Sequence, residues 1–446
     1  MTAERADVVV VGAGPAGLQA ARTAAQGGAA VLLLDAGPGP GGQIWRGLSP
    51  AQAGVAGALL RDVQALKVTH LSRAEVSLAT AGPAGGYDLV VVTPGGLRHI
   101  HAPKLILATG ATERFLPFPG WTLPGVVGAG GLQAMTKSGL VIRGQRVVVA
   151  GTGPLLLAVA ASLRDRGAQV VAVAEQARWP DLARFSLRAS RLPGKGRETL
   201  ALATRLRGVP VWPGTYPLRA AGEDRVTSVT LRRGQRTVTL DCDWLAVGFG
   251  LVPDTRLAVL LGCELQRGAV QVGDQQQTSR PDLYAAGELT GVGGVDQALL
   301  EGFTAGCAAT GQQERLAAVA DRAAALRAFQ GTLERSFALR PELRALPEPD
   351  TVVCRCEDVP FSALHRCASW TDAKIQTRCG MGACQGRVCG PATTALFDWI
   401  FTGVRPPLTP LRLSDLLQAA EPRAEPPRPA APTPPAPTPF PEEEIA

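Results

Sequence analysis

The sequence predicts an α/β protein with two Rossmann-like, three-layer domains and a small helical C-terminal domain. Residues 6–35 and 145–176 each read as an apolar strand, a glycine-rich turn, an alanine-rich helix and a second strand, which predicts the paired domains. The stretch "TRCGMGACQGRVCG" (377–390) holds three cysteines in fourteen residues, which sets the C-terminal segment apart.

The composition is that of a folded protein with dispersed charge. Of 446 residues, 46% are hydrophobic and 19% are charged, which allows a large core and excludes a disordered chain. The formal net charge is +7, but the cations are mostly arginines scattered along the chain, with no basic stripe interleaved with aromatic residues. Nucleic-acid binding is therefore not expected.

The sequence predicts neither a signal peptide nor a membrane span. The run of four valines near the N-terminus is shorter than a signal-peptide core, and no apolar stretch approaches the length of a membrane span. We therefore expect a cytoplasmic protein, in which cysteines stay reduced and clustered cysteines act as ligands or redox centres.

The order of the segments predicts that one domain interrupts another. After the first unit, an apolar strand ends at Thr109-Gly110 and is followed by prolines, and a short strand, a glycine and a helix return at 278–306. The expected divisions are 1–112 with 246–345 for a split nucleotide-binding domain, 113–245 for the inserted one, 350–405 for the cysteine-rich domain and 420–446 for a disordered, proline-rich tail.

The first unit carries the fingerprint of a dinucleotide-binding turn. In "GAGPAG", three glycines follow a strand and open a helix, and Asp35 ends the next strand, placed to accept hydrogen bonds from an adenosine ribose. The first glycine permits the turn, the second lets a pyrophosphate approach, and the third lets the helix lie close to the sheet. The predicted phosphate-binding turn comprises Gly12, Gly14, Pro15, Ala16 and Gly17, with the positive end of the helix dipole facing the phosphates.

Four motifs, "GAGPAG", "GGQ", "ATG" and "LYAAGE", occur in the order found in flavoproteins with two dinucleotide-binding domains. The chain thus resembles, over residues 6 to about 310, the class that includes thioredoxin reductase and ferredoxin reductases, and the resemblance implies FAD in the first site. That class usually has Asp where this chain has Glu288. The further expected cofactor contacts are Gly42 and Gln43 in a second glycine loop, Thr109 and Gly110 near the flavin, Gly287 and Glu288 at the ribityl or pyrophosphate end, and Gln297 and Ala298 at the flavin ring.

The second unit departs from the fingerprint. In "GTGPLLL", Gly151 and Gly153 are kept, but Leu156 stands where the third glycine belongs, so the helix cannot pack as closely. Glu175 ends the next strand in the acidic position. Two interpretations stay open: a bound adenine nucleotide such as NAD(P), or an empty unit kept as a structural domain.

Disulfide reduction is disfavoured because no Cys-x-x-Cys dithiol is present. Three solitary cysteines in apolar surroundings are predicted to be buried structural thiols: Cys242, Cys263 and Cys307. The scattered histidines are predicted to have no catalytic role: His70, His99, His101 and His365.

Four cysteines are predicted to hold a [2Fe-2S] cluster. Cys354 and Cys356 form a Cys-x-Cys pair, and Cys384 and Cys389 follow with four residues between them. Zinc is the alternative, although the tight Cys-x-Cys pair does not suit its usual knuckles. Three arginines would offset the charge of the cluster: Arg355, Arg378 and Arg387.

The motif "GMGACQGRVC" resembles the bacterioferritin-associated-ferredoxin-like domain fused to certain flavoproteins. This resemblance favours Cys384 as the third ligand, with Cys379 and Cys367 kept as alternatives.

Over nearly all residues except the tail, the chain resembles the α subunit of multisubunit FAD-dependent amine dehydrogenases. The segments that carry this resemblance are "FLPFPGWTLPGVVGAGGLQ", "GTGPLLLAVAA" and "CRCEDV" with "TRCGMGACQGRVCGP". The group includes opine oxidase, D-hydroxyproline and L-proline dehydrogenases and a component of hydrogen cyanide synthase. It implies a hetero-oligomer in which a flavin-containing β subunit oxidises the C–N bond. A small additional subunit is a further possibility.

The sequence is therefore compatible with three functions. The first is an electron-transfer subunit with FAD and [2Fe-2S]. The second is a self-sufficient NAD(P)H-dependent reductase of a ferredoxin-type acceptor, supported mainly by Glu175. The third is a non-catalytic interaction scaffold whose cysteines bind zinc.

Overall fold

We describe the protein from a computed structural model, in residues 4–47, 49–51, 54–192, 194–400, 404–409, 411–414 and 417. The tail predicted for 420–446 lies outside these residues. The described chain forms α/β domains built on parallel sheets, which confirms the predicted fold class. None of the described helices combines the length and the apolar character needed to cross a membrane.

Residues 4–113 form the first part of the N-terminal domain. Strands β5, β6 and β7 pair antiparallel, and β1 joins them in a four-stranded sheet. The elements are β1 (Glu4–Arg5), β2 (Val8–Val11), α1 (Pro15–Gln26), β3 (Val31–Asp35), α2 (Val55–Ala65), β4 (Thr69–Ser72), β5 (Glu75–Ala81), β6 (Tyr87–Thr93), β7 (Gly96–Ala102), β8 (Lys104–Leu107) and β9 (Ala111–Glu113).

Residues 126–248 form the inserted domain. Its parallel sheet has the order β10-β17-β11-β12-β13, and β14 to β16 form a three-stranded antiparallel sheet. The elements are β10 (Val126–Gly128), α3 (Ala129–Lys137), β11 (Arg146–Gly151), α4 (Leu155–Asp165), β12 (Gln169–Glu175), α5 (Trp179–Ala189), α6 (Lys195–Arg205), β13 (Val211–Pro213), β14 (Thr215–Ala221), β15 (Ser228–Arg233), β16 (Arg236–Asp241) and β17 (Trp244–Gly248).

Residues 251–309 return to the first domain and complete its parallel sheet, of order β21-β8-β2-β3-β4. The elements are β18 (Leu251–Pro253), α7 (Arg256–Leu260), β19 (Leu265–Gln266), β20 (Ala269–Val270), β21 (Leu283–Ala285), a 3-10 turn (Gly287–Thr290) and α8 (Val295–Ala309). The chain crosses between the domains at the antiparallel pair of β9 and β18. The boundary expected between 245 and 246 falls inside β17, which pairs through Gly248, so the crossing comes after that residue.

The remaining described residues connect the two domains and build the cysteine-rich domain. Helix α10 contacts both α8 of the first domain and α5 of the inserted one, so it bridges them rather than belonging to the first alone. The elements are α9 (Gln313–Ala317), α10 (Ala320–Ser336), a 3-10 turn (Pro341–Ala345), β22 (Val352–Cys354), β23 (Val359–Pro360), α11 (Phe361–Leu364), α12 (Trp370–Thr377) and α13 (Cys389–Phe397).

Each parallel sheet lies between a helical layer and an antiparallel sheet. In β2, Val8 and Val10 pack in the core shared with α1 and α8, whereas Val9 and Val11 pack against the four-stranded sheet. Strand β11 repeats this alternation between α4 and the three-stranded sheet. Side chains alternate across a strand, so fully apolar strands are required where both faces are covered.

Helices α1 and α8 pack with their backbones in close approach. A Cβ atom at Gly302 would lie 2.1 Å from the carbonyl oxygen of Ala16, and one at Gly306 would lie 2.7 Å from the carbonyl oxygen of Ala20. Neither position has space for a methyl group beside a backbone atom. The close packing that these glycines permit therefore brings together the two sequence segments of the split domain.

We predict that Gly302→Ala lowers the free energy of unfolding by about 1–3 kcal/mol, because the methyl group would displace the backbone of α1. Gly196→Ala is the control, because this exposed glycine in α6 has no atom near the added Cβ. The control substitution should stabilise the protein by up to about 1 kcal/mol. Chemical denaturation measures both, and equal effects would contradict the close packing.

The cysteine-rich domain docks on the inserted domain through Trp121, which precedes β10 in the chain and packs in the core of the inserted domain. The indole is 2% exposed, and its Nε1 donates a hydrogen bond of 2.6 Å to the carbonyl oxygen of Val352, two residues before Cys354. The guanidinium of Arg355 lies 5.3 Å from the centroid of the indole ring, within the range of a cation–π contact. The inserted domain thus holds the segment that carries the first two cysteines.

Two ion pairs also involve residues on either side of the cysteines. One nitrogen of Arg219 donates to both carboxylate oxygens of Glu348 at 2.7 Å, and two nitrogens of Arg344 donate to the two oxygens of Asp398 at 2.7 Å. All four side chains are about half exposed or more, so these pairs orient the domain more than they stabilise it.

We predict that Trp121→Phe weakens the docking of the cysteine-rich domain by about 1–3 kcal/mol, because the buried Val352 carbonyl loses its donor while the aromatic ring is retained. Limited proteolysis under native conditions should cut the segment before Cys354 faster in this variant. Trp179→Phe is the matched control, because that indole is 70% exposed. Equal proteolysis rates in the two variants would show that the indole does not hold the domain.

Candidate functional site

The residues predicted for the first cofactor site meet at one edge of the first parallel sheet. Gly12 follows β2, Asp35 ends β3, Thr109-Gly110 follow β8, and Gly287 follows β21. Because the carboxyl ends of parallel strands lie at the same edge, the structure brings these four segments together. Ligands of open α/β sheets bind at this edge.

The glycine turn has no space for larger residues. Gly12 has φ of +106°, and a Cβ atom there would lie 2.2 Å from the carbonyl oxygen of Ala108. A Cβ atom at Gly17 would lie 1.7 Å from the carbonyl oxygen of Gly12. The requirement for glycine is therefore steric at both positions.

The second glycine loop closes on the first. Gly41 donates its amide to the carbonyl oxygen of Ala13 at 2.7 Å, and a Cβ atom at Gly42 would lie 3.0 Å from the Cα atom of Gly14. Two backbone segments without side chains thus face each other beside the start of α1, where amides point outward. This bare cradle suits a pyrophosphate. Gln43 is exposed, and its side chain accepts a hydrogen bond from Arg46 at 2.7 Å.

Asp35 is bound to the turn through its carboxylate. One oxygen accepts a hydrogen bond from the amide of Ala13, and the other accepts one from the amide of Gly37, both at 2.6 Å. The side chain stays partly exposed at the end of β3. A carboxylate has lone pairs for further donors, so ribose hydroxyls can be added to this arrangement.

The segment after β21 packs directly on the glycine turn. A Cβ atom at Gly287 would lie 2.7 Å from the Cβ of Ala16 and 3.7 Å from that of Ala298. The predicted pair Gly287 and Ala298 thus meets the phosphate-binding turn. Burial raises the pKa of the neighbouring Glu288 carboxyl.

Glu301 and Gln330 belong to this region, and the sequence alone did not identify them. Glu301 accepts hydrogen bonds from the Gly287 amide at 2.8 Å, the Thr290 hydroxyl at 2.7 Å and the Gln297 amide group at 2.7 Å. Gln297 also donates to Gln330 of α10 at 2.8 Å. The spacing of four residues between Gln297 and Glu301 on one helix was the available signal.

One atom of this network is left unpaired. The Oε1 atom of Gln297 is buried without a hydrogen-bond partner, at a residue expected to face the flavin ring. An unpaired buried amide oxygen is costly unless a ligand or water donates to it. Thr109 lies at the domain crossing, where its hydroxyl donates to the carbonyl oxygen of Asp254 at 2.7 Å.

The four cysteines predicted as ligands line one cavity of about 310 Å³. Cys354 and Cys389 are buried at its base, Cys356 is exposed, and Cys384 is half-buried beside it. Cys384 contacts Cys356 through both its backbone and its thiol. The cavity is completed by Arg355 and Val388, so two pairs of thiols face a common space.

Cys379 is not among the residues that line this cavity. Its sulfur, fully buried, is grouped with those of Cys354 and Cys389, all within 4.8 Å of one another. Hydrogen bonds from the thiols of Cys379 and Cys389 and from the amide of Gly380 lower the pKa of Cys354. Cys367 lies apart, and its thiol donates to the carbonyl oxygen of Ala363 at 3.7 Å.

Glycines allow the cysteine loop to fold this tightly. A Cβ atom at Gly380 would lie 2.4 Å from the ring of the buried Trp370, and one at Gly382 would lie 2.3 Å from the Cβ of Cys356. Of the arginines expected to offset charge, Arg355 lines the cavity and lies over Trp121, Arg378 pairs with Glu357 at 2.7 Å, and Arg387 is exposed.

The solitary cysteines of the nucleotide domains are buried, as predicted. Burial raises the pKa of all three thiols, which keeps them protonated and unreactive: Cys242, Cys263 and Cys307. Among the described residues, the group of side chains close enough to hold a metal ion is made of cysteines and includes no histidine.

Comparisons with known proteins agree with this architecture. Residues 6–317 match the family described as pyridine nucleotide-disulphide oxidoreductase. An opine oxidase subunit of Rhizobium meliloti is 33% identical, with 93% of this chain and 99% of that one covered. Hydrogen cyanide synthase subunit HcnB of Pseudomonas aeruginosa is 32% identical, with 85% of this chain and 90% of that one covered.

Solved structures with the same fold include an L-proline dehydrogenase from P. horikoshii and a thioredoxin reductase from T. acidophilum. The first has a TM-score of 0.65 at 19% identity and covers 93% of this chain and 80% of its own. The second has a TM-score of 0.54 at 22% identity and covers 70% of this chain and 99% of its own. By its family match and its relatives, the chain belongs to the pyridine nucleotide-disulphide oxidoreductase family and is an FAD-dependent oxidoreductase related to the opine oxidase subunit of Rhizobium meliloti.

Proposed function

We propose that the chain is the electron-transfer subunit of a hetero-oligomeric dehydrogenase that oxidises a C–N bond. Substrate oxidation takes place in a partner subunit with its own flavin, and the substrate is an amino acid, hydroxyproline, proline or an opine. The names of the relatives, which are subunits of an opine oxidase and of a hydrogen cyanide synthase, support this assignment. The main supporting observation is that four thiols line one cavity in a chain that also has a glycine-lined site suited to a pyrophosphate.

The first domain is proposed to hold FAD. The steric demand at Gly12 and Gly17, the facing glycines and the unpaired amide oxygen of Gln297 fit this cofactor. FAD supplies the ability to take up two electrons and to release them singly. The proposed contacts are Gly12, Gly14, Pro15, Ala16, Gly17, Asp35, Gly42, Gln43, Thr109, Gly110, Gly287, Glu288, Gln297 and Ala298.

Within this site, the protein supplies binding and orientation. The amides at the start of α1 bind the phosphates, and Asp35 accepts the ribose hydroxyls while it holds the glycine turn in place. Glu301 fixes the Gly287 amide and the Gln297 side chain, so it positions the segment next to the ring.

The cysteine-rich domain is proposed to hold a [2Fe-2S] cluster through Cys354, Cys356, Cys384 and Cys389. These four line the cavity in two pairs, as two irons with two protein ligands each require. A cluster supplies one-electron transfer. Cys379 is not on the cavity wall, and we assign it no ligand role.

The partners follow from this division of labour. We propose that a flavin-containing β subunit binds the chain, together with a small third subunit, in a cytoplasmic location where the thiols stay reduced. A second candidate for the cysteine-rich domain is zinc held by Cys354, Cys379 and Cys389, supported by the grouping of their sulfurs within 4.8 Å.

The composition of the purified chain tests the proposal. After anaerobic purification with its native partners, we expect bound FAD, two irons and two sulfides per chain. A panel of amino acids, D-amino acids and opines should then identify the substrate of the complex. A colourless protein with one zinc per chain would contradict the proposal and support the second candidate.

Single serine variants test the ligand set. Cys384→Ser should lose the cluster, with iron content and visible absorption falling to background, because one iron loses a thiolate. Cys379→Ser is the matched control and should keep both irons, since its buried thiol does not line the cavity. Loss of the cluster in Cys379→Ser with retention in Cys384→Ser would show that our ligand assignment is wrong.

A further inference from the structure

The two nucleotide-binding units hold their acidic residues in the same way. Asp35 accepts hydrogen bonds from two backbone amides: that of Ala13, which lies 22 residues before it in the chain, and that of Gly37, two residues after it. Glu175 accepts amide hydrogen bonds from Gly153 and Ala177, both at 2.7 Å, at the same sequence spacings, although Gly153 is the second glycine of its turn whereas Ala13 lies between the two glycines of the first. The second unit has therefore kept the acid and the turn of a nucleotide site.

The two units differ in what covers the end of the second strand. Asp35 is partly exposed and the residue after it is exposed. Glu175 is 5% exposed, Gln176 is 0% exposed and Ala177 is 3% exposed. The surface on which a ribose and an adenine would lie is open in the first unit and covered in the second.

The cover is the chain that leaves α10, residues 337–340. Gln176 donates its side-chain amide to the carbonyl oxygen of Ala338 at 3.0 Å and accepts a hydrogen bond from the amide of Arg340 at 3.2 Å. The hydroxyl of Thr152, in the glycine turn, donates to the carbonyl oxygen of Phe337 at 3.3 Å. Gln176 and Thr152 are also joined at 2.9 Å.

Side chains lock this segment on both sides. The Phe337 ring packs edge-on against Phe185 of α5 at 4.9 Å. Arg340 lies over the ring of Tyr216 at 5.2 Å and pairs with Glu342 at 2.6 Å. The segment is thus held by the turn, by the end of β12 and by the antiparallel sheet.

A dinucleotide needs this same place. In Rossmann-type units the pyrophosphate lies on the glycine turn and the ribose hydroxyls bond to the acid at the end of the second strand. Here Gln176, the residue after Glu175, makes hydrogen bonds to Ala338 and Arg340 of the same chain. Both carboxylates accept two amide hydrogen bonds, but Glu175 is 5% exposed whereas Asp35 is partly exposed, so burial is what separates Glu175 from a ribose.

We propose that residues 337–340 permanently occupy the adenosine end of the second nucleotide unit, so that this unit binds no NAD(P)H and serves as the socket for the connector to the cysteine-rich domain. Electrons then reach the chain from a protein-bound donor rather than from a pyridine nucleotide. Occupation of the second unit by residues 337–340 does not depend on whether the cysteines hold a cluster.

Hydrogen exchange of the full chain, with and without NADH, NADPH or ADP-ribose, tests the proposal. We expect slow exchange at residues 337–340 and 175–177 that none of the three nucleotides changes. Saturable binding of NADH or NADPH that accelerates exchange at 337–340 or protects 175–177 would overturn it. Binding that protects only the turn at 12–17 reports on the first unit and leaves the second unit without nucleotide, as proposed.

A loosened connector provides the second measurement. Thr152→Ala with Gln176→Ala removes the side-chain hydrogen bonds to the segment and should speed exchange at 337–340 by about tenfold. Gln235→Ala, at an exposed turn of the antiparallel sheet, is the control and should leave this exchange unchanged. If the double variant exchanges no faster than the control, the segment is not held in the unit and the proposal is wrong.

Discussion

The side-chain amide of Gln176 is the contact on which the arrangement of the domains depends. Gln176 is fully buried just after β12. Its side chain donates to Thr152 in the glycine turn and to Ala338, and it accepts a hydrogen bond from Arg340, so it joins the turn to residues 337–340. A buried amide with its donors and acceptor satisfied is stable, whereas one partner lost leaves costly unpaired groups. This contact therefore fixes where the chain turns toward the cysteine-rich domain, and Trp121 then fixes how that domain lies.

Two copies of one supersecondary unit thus have different uses in the same chain. In the first, glycines keep a bare cradle at the carboxyl edge of the sheet, and Asp35 remains accessible. In the second, the same edge binds a segment of the protein. Because the fold is held by strand pairing and the two core layers, the unit can lose a ligand site without losing its structure. The second unit thereby holds residues 337–340, which precede the cysteine-rich domain in the chain.

The local requirements of the site could be predicted from the sequence, whereas its long-range contacts could not. Gly12 and Gly17 could be assigned because the atoms that exclude a Cβ belong to the strand and turn next to them. Glu301 and Gln330 were missed because their network joins two helices across an intervening segment. The connector could not be foreseen either, since the hydroxyl of Thr152 and the carbonyl of Phe337 are 185 residues apart.

The cysteines also have local features that the sequence predicts and long-range contacts that it does not. Their clustering and the burial of Cys242, Cys263 and Cys307 could be predicted from spacing and apolar context. Which thiols line the cavity depends on how the glycine loop folds over Trp370. The choice among five nearby thiols is therefore a matter of three-dimensional structure, and it remains a prediction until the variants are measured.

The most direct test of the account is anaerobic reduction of the complex of this chain with its native partners, followed by electron paramagnetic resonance of the cluster. We expect the amine substrate to reduce the cluster, NADH and NADPH to leave it oxidised, and dithionite to reduce it in every sample. Reduction of the flavin and the cluster by NADH in the isolated chain would contradict the central claim that electrons arrive from a partner subunit.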